Sequence, residues 1–462
     1  MVAYRTEQDS IGVREVPANA YYGVQALRAS ENFKITGAKL HPELIRAMAE
    51  VKIAAARANK EAGVLPTHIA DALIAAGKEV ASGKLFDNFI VDAIQGGAGT
   101  SMNMNTNEVL SNRAIELLGG IKGDYSIVHP NDHANCAQST NDVIPTSGRI
   151  AAIRLLYGAI VELELLCEAF YEKANEYQSV IKMGRTEMQD AVPVSFGQVF
   201  SAYASAIKRD IRRFRSAIDE MSTVNMGATA IGTAINAHPV YIERVVPFLS
   251  EVTGLELSQA TDLIDATQNL DSFVYVSGII KSCAATLSKI ANDLRLMSSG
   301  PRTGFGEITL AAMQNGSSIM PGKVNPVIPE AMSQISFAII GNDTTITLAA
   351  EAGQLELNAF EPILFRALFD SLDILRNGVK MFTDECIKTL KVNEARCREL
   401  VDNSIGIVTA LCPLIGYKES ARLAKLALYE NKSIREVVAK ETTLTREEID
   451  SVLDPRKMIG KD

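Results

Sequence analysis

Between residues 262 and 296, apolar or small side chains recur at steps of three and four: Leu263, Ala266, Leu270, Phe273, Ser277, Ile280, Ala284, Leu287, Ile290 and Leu294. That period matches the turn of an α-helix, and no proline interrupts it. The segment 150–178 repeats the pattern through Ile153, Leu156, Ile160, Leu163, Cys167 and Phe170, with its start marked by Pro145. Segments 194–222, 327–352 and 362–390 read the same way. Helices of this length, apolar over much of their girth, must pack on one another or on neighbouring subunits. The expected centre is therefore a bundle of about five long helices. A coiled-coil rod needs strict heptads with charged flanks and a solenoid needs a short internal repeat; the chain has neither.

Shorter helices are expected at 42–62 and 67–82, and the Gly-rich turn "QGGAGTSMNMNTNEVL" runs into another. Past residue 395, "IGYKESARLAKLALYENKSIREVVAK" reads as two amphipathic helices joined by a polar turn at Glu430 to Ser433. The pattern predicts a mostly α chain in three domains: an N-terminal domain 1–140, a central helical bundle 141–395 and a small helical C-terminal domain 396–462.

With 462 residues, 47% of them hydrophobic, the chain can bury a large core. A formal net charge of -9 argues against a nucleic-acid footprint but leaves room for a locally basic pocket that takes a small anion. No stretch is long enough to span a membrane; the apolar run "FAIIGNDTTITLAA" is broken by Asn342 and Asp343. "MVAYRTEQDS" carries charge from its start and has no apolar core of a secretory signal, so the cytoplasm is expected. Cysteines 136, 167, 283, 386, 397 and 412 form no C-x-x-C pair and read as small buried residues in a reducing compartment. His129 and His133 have the spacing of metal ligands on a helix, but Pro130, Asn131 and Asp132 between them suggest a turn or a helix start. No metal and no organic cofactor is expected, and Mg2+ activation has no sequence signature.

Four polar islands interrupt the helical background: "GTSMNMN" (99–105), "QSTND" (138–142), "KMGRTEMQD" (182–190) and "GSSIMPGKVNP" (316–326), each expected beside a helix end. Taken singly, Thr100, Ser101, Ser139 and Thr140 are the residue types that cap helix starts. Taken together with Lys182, Arg185 and Lys323, these hydroxyls and amides are the groups that hold small carboxylates. A phosphate loop fits less well. "GGAGTS" lacks the Gly-Lys-Ser/Thr ending, and in "GSSIMPGKV" the glycine spacing is one residue too long and Val324 stands where Ser or Thr belongs.

"GSSIMPGKVNP" resembles the signature of the aspartase/fumarase superfamily. The resemblance continues through "VPANAYYGVQ", "GAGTSMNMNTNEV", "HPNDHANCAQSTND", "GRTEMQDAVPVSFGQ" and "GIVTALCPLIGY", covering nearly the whole chain. It implies a three-domain helical subunit, a homotetramer around a twenty-helix core, and active sites each built from three subunits. It also implies a lyase that releases fumarate from a succinyl-type substrate through an aci-carboxylate intermediate. By position, Thr100, Ser139, Thr140 and Ser318 would hold the carboxylate that becomes aci-carboxylate, and Lys323 and Asn325 the other one. Ser317, six residues before Lys323 on a mobile loop, would be the base, an assignment that requires its oxyanion to be stabilised by loop N–H groups and nearby positive charge.

"YYGVQ" and "GTSMNMN" point to the aspartase and class II fumarase branch. Thr140 resembles the aspartase pattern, where fumarases typically have a second serine. Glu187 departs from the family, which places histidine or glutamine there; Glu330 corresponds to the acidic partner of that residue, so two carboxylates are expected to face each other. Such a pair favours a cation between them, which the ammonium of aspartate supplies and the hydroxyl of malate does not. The alternative for Glu187 is a solvated acid that turns away. Asn141 would hydrogen-bond the amino group, while Lys182 and Thr186 line the pocket; His129, which resembles a residue of a secondary dicarboxylate site in fumarases, is taken as structural. The resemblance thus implies conversion of L-aspartate to fumarate and ammonia by anti elimination. A class II fumarate hydratase and a non-catalytic scaffold of the family are the alternatives.

Overall fold

The computed structural model describes residues 3–460 and is mostly α, with four two-stranded sheets and no larger one among the described residues. Five helices dominate: Thr140–Glu176, Phe196–Met221, Asp271–Met297, Val327–Glu351 and Glu361–Phe382. The chain forms two compact units that are not contiguous segments. One comprises Met1–Ile160, Arg212–Ser282 and Phe337–Leu375, the other Val161–Ile211, Cys283–Ser336 and Arg376–Asp462, so each long helix contributes to both.

In the first unit, Gly148 lies against Phe365, where an added Cβ would stand 2.3 Å from the ring. Phe365 in turn packs on Phe273 (5.4 Å between centroids) and Phe369 (5.7 Å). Buried Asp343 accepts from Ser277 Oγ at 2.7 Å and Lys281 Nζ at 2.6 Å, tying the Val327–Glu351 helix to Asp271–Met297. The latter is long and apolar enough to cross a membrane, but half of its most apolar stretch is buried inside the protein, as befits a core helix. In the second unit Phe170, Phe196, Phe200 and Tyr203 form an aromatic cluster between the Thr140–Glu176 and Phe196–Met221 helices. A further core gathers Met183, Val401, Leu411, Leu423, Val438 and Leu453, and Met183 ties a β-hairpin to the C-terminal helices. The two expected amphipathic helices are Tyr417–Glu430 and Ile434–Glu441, the latter started by a capping box of Ser433 and Glu436.

Two long elements differ from the apolar pattern. The 262–296 segment is two helices, Leu263–Gln268 and Asp271–Met297, because Asn269 adopts an extended backbone between them. The helix expected from 150 begins instead at Thr140 and carries Pro145 inside it. Proline cannot donate to the carbonyl four residues back, that of Asn141. Asn225 Nδ2 donates to it instead, at 3.0 Å, so the proline leaves no orphan acceptor.

Candidate functional site

The Thr100–Leu117 helix starts after Gly99, whose φ of 84° lies in the left-handed region. A Cβ on Gly99 would come within 3.0 Å of Ile144, in the second turn of the Thr140–Glu176 helix. Asn103 Nδ2 donates to Thr140 Oγ1 at 3.2 Å. The first turns of two helices are thus packed together, and the positive ends of their dipoles favour an anion. Thr100 is exposed there, and Ser139, Thr140 and Asn141 are half-buried.

The capping expected of these residue types is present and leaves donors over. Ser139 Oγ accepts from Asn141 N at 3.2 Å while Asp142 Oδ1 accepts from Ser139 N at 2.9 Å, which leaves the Ser139 hydroxyl hydrogen free to donate. Asn141 Nδ2 donates to the Ala230 carbonyl at 2.7 Å. A carbonyl can only accept, so the amide nitrogen must face Ala230 and Oδ1 is the end that remains. The loop that supplies Ala230 holds Thr229, Ala234 and Asn236 at φ of 58°, 54° and 65°. It is pinned by Asp142 Oδ2, which accepts from Thr229 N at 3.0 Å and Gly227 N at 3.3 Å. Three non-glycine residues in the left-handed region mark a strained, over-determined segment beside Asn141.

Behind Thr140 lie groups that the sequence did not flag. Asn135 Oδ1 accepts from Lys52 Nζ at 2.9 Å, Asn103 Nδ2 at 3.2 Å and Asn107 Nδ2 at 3.2 Å. Burial pushes the Lys52 ammonium down to about 7, with the negative charge of Asp142 opposing, and burial pushes Asp142 up to about 6. The available signal was a lone lysine in the apolar run "AEVKIAAA", at a position facing the core of the Pro42–Glu61 helix.

In the second unit, "KMGRTEMQD" lies in an antiparallel hairpin, Ile181–Thr186 with Gln189–Ser195, rather than at a helix end. Glu187 and Met188 form its two-residue turn at φ of 53° and 66°. Left-handed backbone at both central positions matches the twist of the strands, although glycine or asparagine usually occupies such positions. Thr186 and Glu187 are exposed at the tip. Lys182, expected to line the pocket, is buried with its Nζ 3.3 Å from Glu307 Oε2, and burial lowers its pKa. Arg185 Nη1 donates to Glu307 Oε1 at 2.9 Å and its guanidinium stacks 4.2 Å from the Phe305 ring centroid. A fully buried carboxylate thus takes both cations of the hairpin. Glu330 has Arg295 as its ion-pair partner, at 3.7 Å.

The 316–326 stretch is an irregular loop closed on itself. Gly316 N donates to Lys323 O at 3.0 Å and Asn325 Nδ2 to Gly316 O at 2.8 Å. Inside this ring Ser317 Oγ accepts from Ile319 N at 3.2 Å and Met320 N at 3.0 Å. Two backbone donors on one hydroxyl oxygen favour its alkoxide over its neutral form. Ser317 is half-buried, and Ser318, Ile319, Pro321 and Lys323 are exposed. Thr100, Ser139, Thr140 and Asn141 therefore belong to one compact unit, and Lys182, Thr186, Glu187, Ser317, Ser318, Lys323, Asn325 and Glu330 to the other. Among the described residues no group of three His, Cys, Asp or Glu side chains is arranged to hold a metal ion. His129 accepts from Asn131 N and Asp132 N, both at 3.2 Å, as the cap of the Pro130–Ala134 turn.

Paired helix starts rich in hydroxyls lie in the first unit and a serine-bearing loop in the second, within a mostly helical protein. Residues 12–341 match the family model described as lyase, and residues 407–460 match that of the fumarase C C-terminus. The chain belongs to this lyase family, the aspartase/fumarase superfamily. Aspartate ammonia-lyase of Bacillus subtilis is 51% identical over 455 residues, covering 98% of this chain and 96% of that one. A Brucella melitensis protein described as a fumarate lyase:delta crystallin, solved with cobalt bound, superimposes with a TM-score of 0.97 at 46% identity, covering 99% of this chain and 100% of that one. The class II fumarase of Schistosoma mansoni gives 0.96 at 34% identity, covering 99% of each chain.

Proposed function

We propose that the chain is a carbon–nitrogen lyase that converts L-aspartate to fumarate and ammonium by anti elimination, with Ser317 as the base. The observation that carries this assignment is the pair of amides, Ile319 N and Met320 N, on the Ser317 oxygen. A serine is a useful base only as its alkoxide, and those two donors stabilise the alkoxide before substrate arrives. The similarity to aspartate ammonia-lyases at about half identity, against 34% to a class II fumarase, supports nitrogen as the leaving atom.

In this mechanism Ser317 takes the proton from the carbon next to the carboxylate held by Thr100, Ser139, Thr140 and Ser318. The electron pair moves into that carboxylate, giving a dianionic aci-carboxylate stabilised by the hydroxyls and the two helix starts. Lys323 and Asn325 hold the other carboxylate. Collapse of the intermediate breaks the C–N bond, and the electron pair leaves with the nitrogen as ammonia between Asn141 Oδ1, Thr186 and Glu187, with Glu330 supporting. The proton held by Ser317 then passes through solvent to give ammonium and restore the alkoxide. Lys182 stays behind the hairpin with Glu307. No cofactor takes part.

The active enzyme is a homotetramer whose sites draw on three subunits. The Val327–Glu351 helix supports this: it leaves Phe337 61% and Leu348 62% exposed, and Gly341 between them has open space around it. An uncharged helix face of that kind fits against other helices. Six free cysteines suit a reducing cytoplasm.

The test is fumarate formation, followed by its ultraviolet absorbance, from L-aspartate and from L-malate in separate reactions. Fumarate from L-aspartate alone is expected. Fumarate from L-malate alone would replace this assignment with a hydratase, and none from either with a scaffold.

A further inference from the structure

We propose that Lys52 is a positioning residue of the carboxylate site, acting through Asn135 and Asn103 to hold the Thr140 hydroxyl as a hydrogen-bond donor to substrate. The proposal rests on the assignment of Thr140 as a substrate carboxylate ligand and adds what sets its polarity. Each link follows from what the groups can donate or accept. Asn135 Nδ2 donates to the Gln138 carbonyl at 3.1 Å, and a carbonyl only accepts, so the end of Asn135 that lies 2.9 Å from the donating Lys52 Nζ must be its oxygen. That oxygen obliges Asn103 to present its NH2, at 3.2 Å, and Asn107 does the same at 3.2 Å. The NH2 of Asn103 also reaches Thr140 Oγ1, at 3.2 Å, so the hydroxyl oxygen must accept there and its own hydrogen must go elsewhere.

A carboxylate can only accept. A hydroxyl free to rotate would spend part of its time with its hydrogen turned into the protein, and substrate would have to reorient it. A hydroxyl whose acceptor side is already occupied is preorganised for the anion, and the direction of the whole chain is fixed at its buried end, where the Gln138 carbonyl takes the NH2 of Asn135 and Lys52 Nζ donates to its oxygen. Lys52 is 4% exposed and Asn103 1% exposed, whereas Thr140 is half-buried, so the chain runs from the core outward to the substrate face.

The experiment is a double-mutant cycle in the full-length enzyme, reading KM and kcat for L-aspartate in Thr140→Val, Asn135→Ala and the double variant. Loss of a hydrogen bond to a charged group predicts a KM roughly 10- to 100-fold higher in Thr140→Val, and roughly 3- to 10-fold higher in Asn135→Ala. In the double variant Asn135→Ala should add nothing to Thr140→Val within about twofold, because the relay has lost its end. Lys52→Met and Asn103→Ala are run through the same cycle, and Asn135→Ala decides the matter if Lys52→Met does not fold. Multiplicative effects, or an unchanged KM in Asn135→Ala beside a raised one in Thr140→Val, would overturn the relay and leave Thr140 as a ligand. An unchanged KM in Thr140→Val would remove both the ligand and the relay.

Discussion

Met320 N lies 3.0 Å from Ser317 Oγ, so the serine oxygen is held by an amide of its own loop three residues on. The geometry is local, and it makes a strong statement about Ser317 alone. Ser317→Ala should leave thermal stability and the oligomer unchanged and lower kcat by roughly 10²- to 10⁴-fold, the usual range for losing a proton-transfer group. Turnover near the parent level would sink the assignment.

Gly316 tests whether the loop must close on itself. A Cβ there would lie 2.1 Å from Lys323 O, whereas one on Gly322 would meet nothing within 4 Å. Gly316→Ala should therefore lower kcat/KM by at least about 10-fold, consistent with misplacement of a reacting group. Gly322→Ala, strained only by its φ of 80°, should lose less. Equal losses in the two variants would show that ring closure does not matter; steady-state kinetics decide it.

Glu187 occupies an exposed hairpin turn, and in the proposed mechanism its carboxylate meets the ammonium group of the substrate. Glu187→Gln should raise KM for L-aspartate several-fold and shift its pH dependence. Unchanged values for both would mean that the side chain is a solvated acid.

Glu307 is fully buried between Lys182 and Arg185. Glu307→Ala leaves two cations without their partner, which costs about 3–5 kcal/mol for a buried pair. A lower denaturation midpoint is expected, together with loss of activity, because the hairpin carrying Thr186 and Glu187 loses its anchor. Stability within about 1 kcal/mol of the parent would contradict the role given to the pair.

The Lys52 ammonium, pushed down to about 7 from 10.5 by burial, links stability to pH. Between those values the unfolded chain binds the lysine proton and the folded chain does not. Unfolding free energy therefore rises with pH across that window through this group. Asp142, raised to about 6 from 3.8, acts in a separate window and with the opposite sign, its contribution falling as pH rises. Subtracting the profile of Lys52→Met from that of the parent between pH 7 and 10.5 should leave a positive slope; a flat difference would show that Lys52 titrates normally.

Period and residue type determined the helical class, the approximate extents of the long helices and the polar islands at Thr100, Ser139 and Ser317. Those features depend on interactions within a few turns of chain, which a linear pattern records. What only the tertiary structure decided depends on partners far away in sequence. Pro145 sits inside a helix because Asn225, 80 residues on, takes the carbonyl it frees. Lys182 is paired in the core with Glu307, more than a hundred residues on, a partner no local pattern reveals. The "KMGRTEMQD" island became a hairpin through pairing and two left-handed residues that propensity disfavours. Lys52, which the sequence did not flag, gains a place only through Asn135 and Asn103, since hydrogen-bond polarity belongs to a network rather than to a residue.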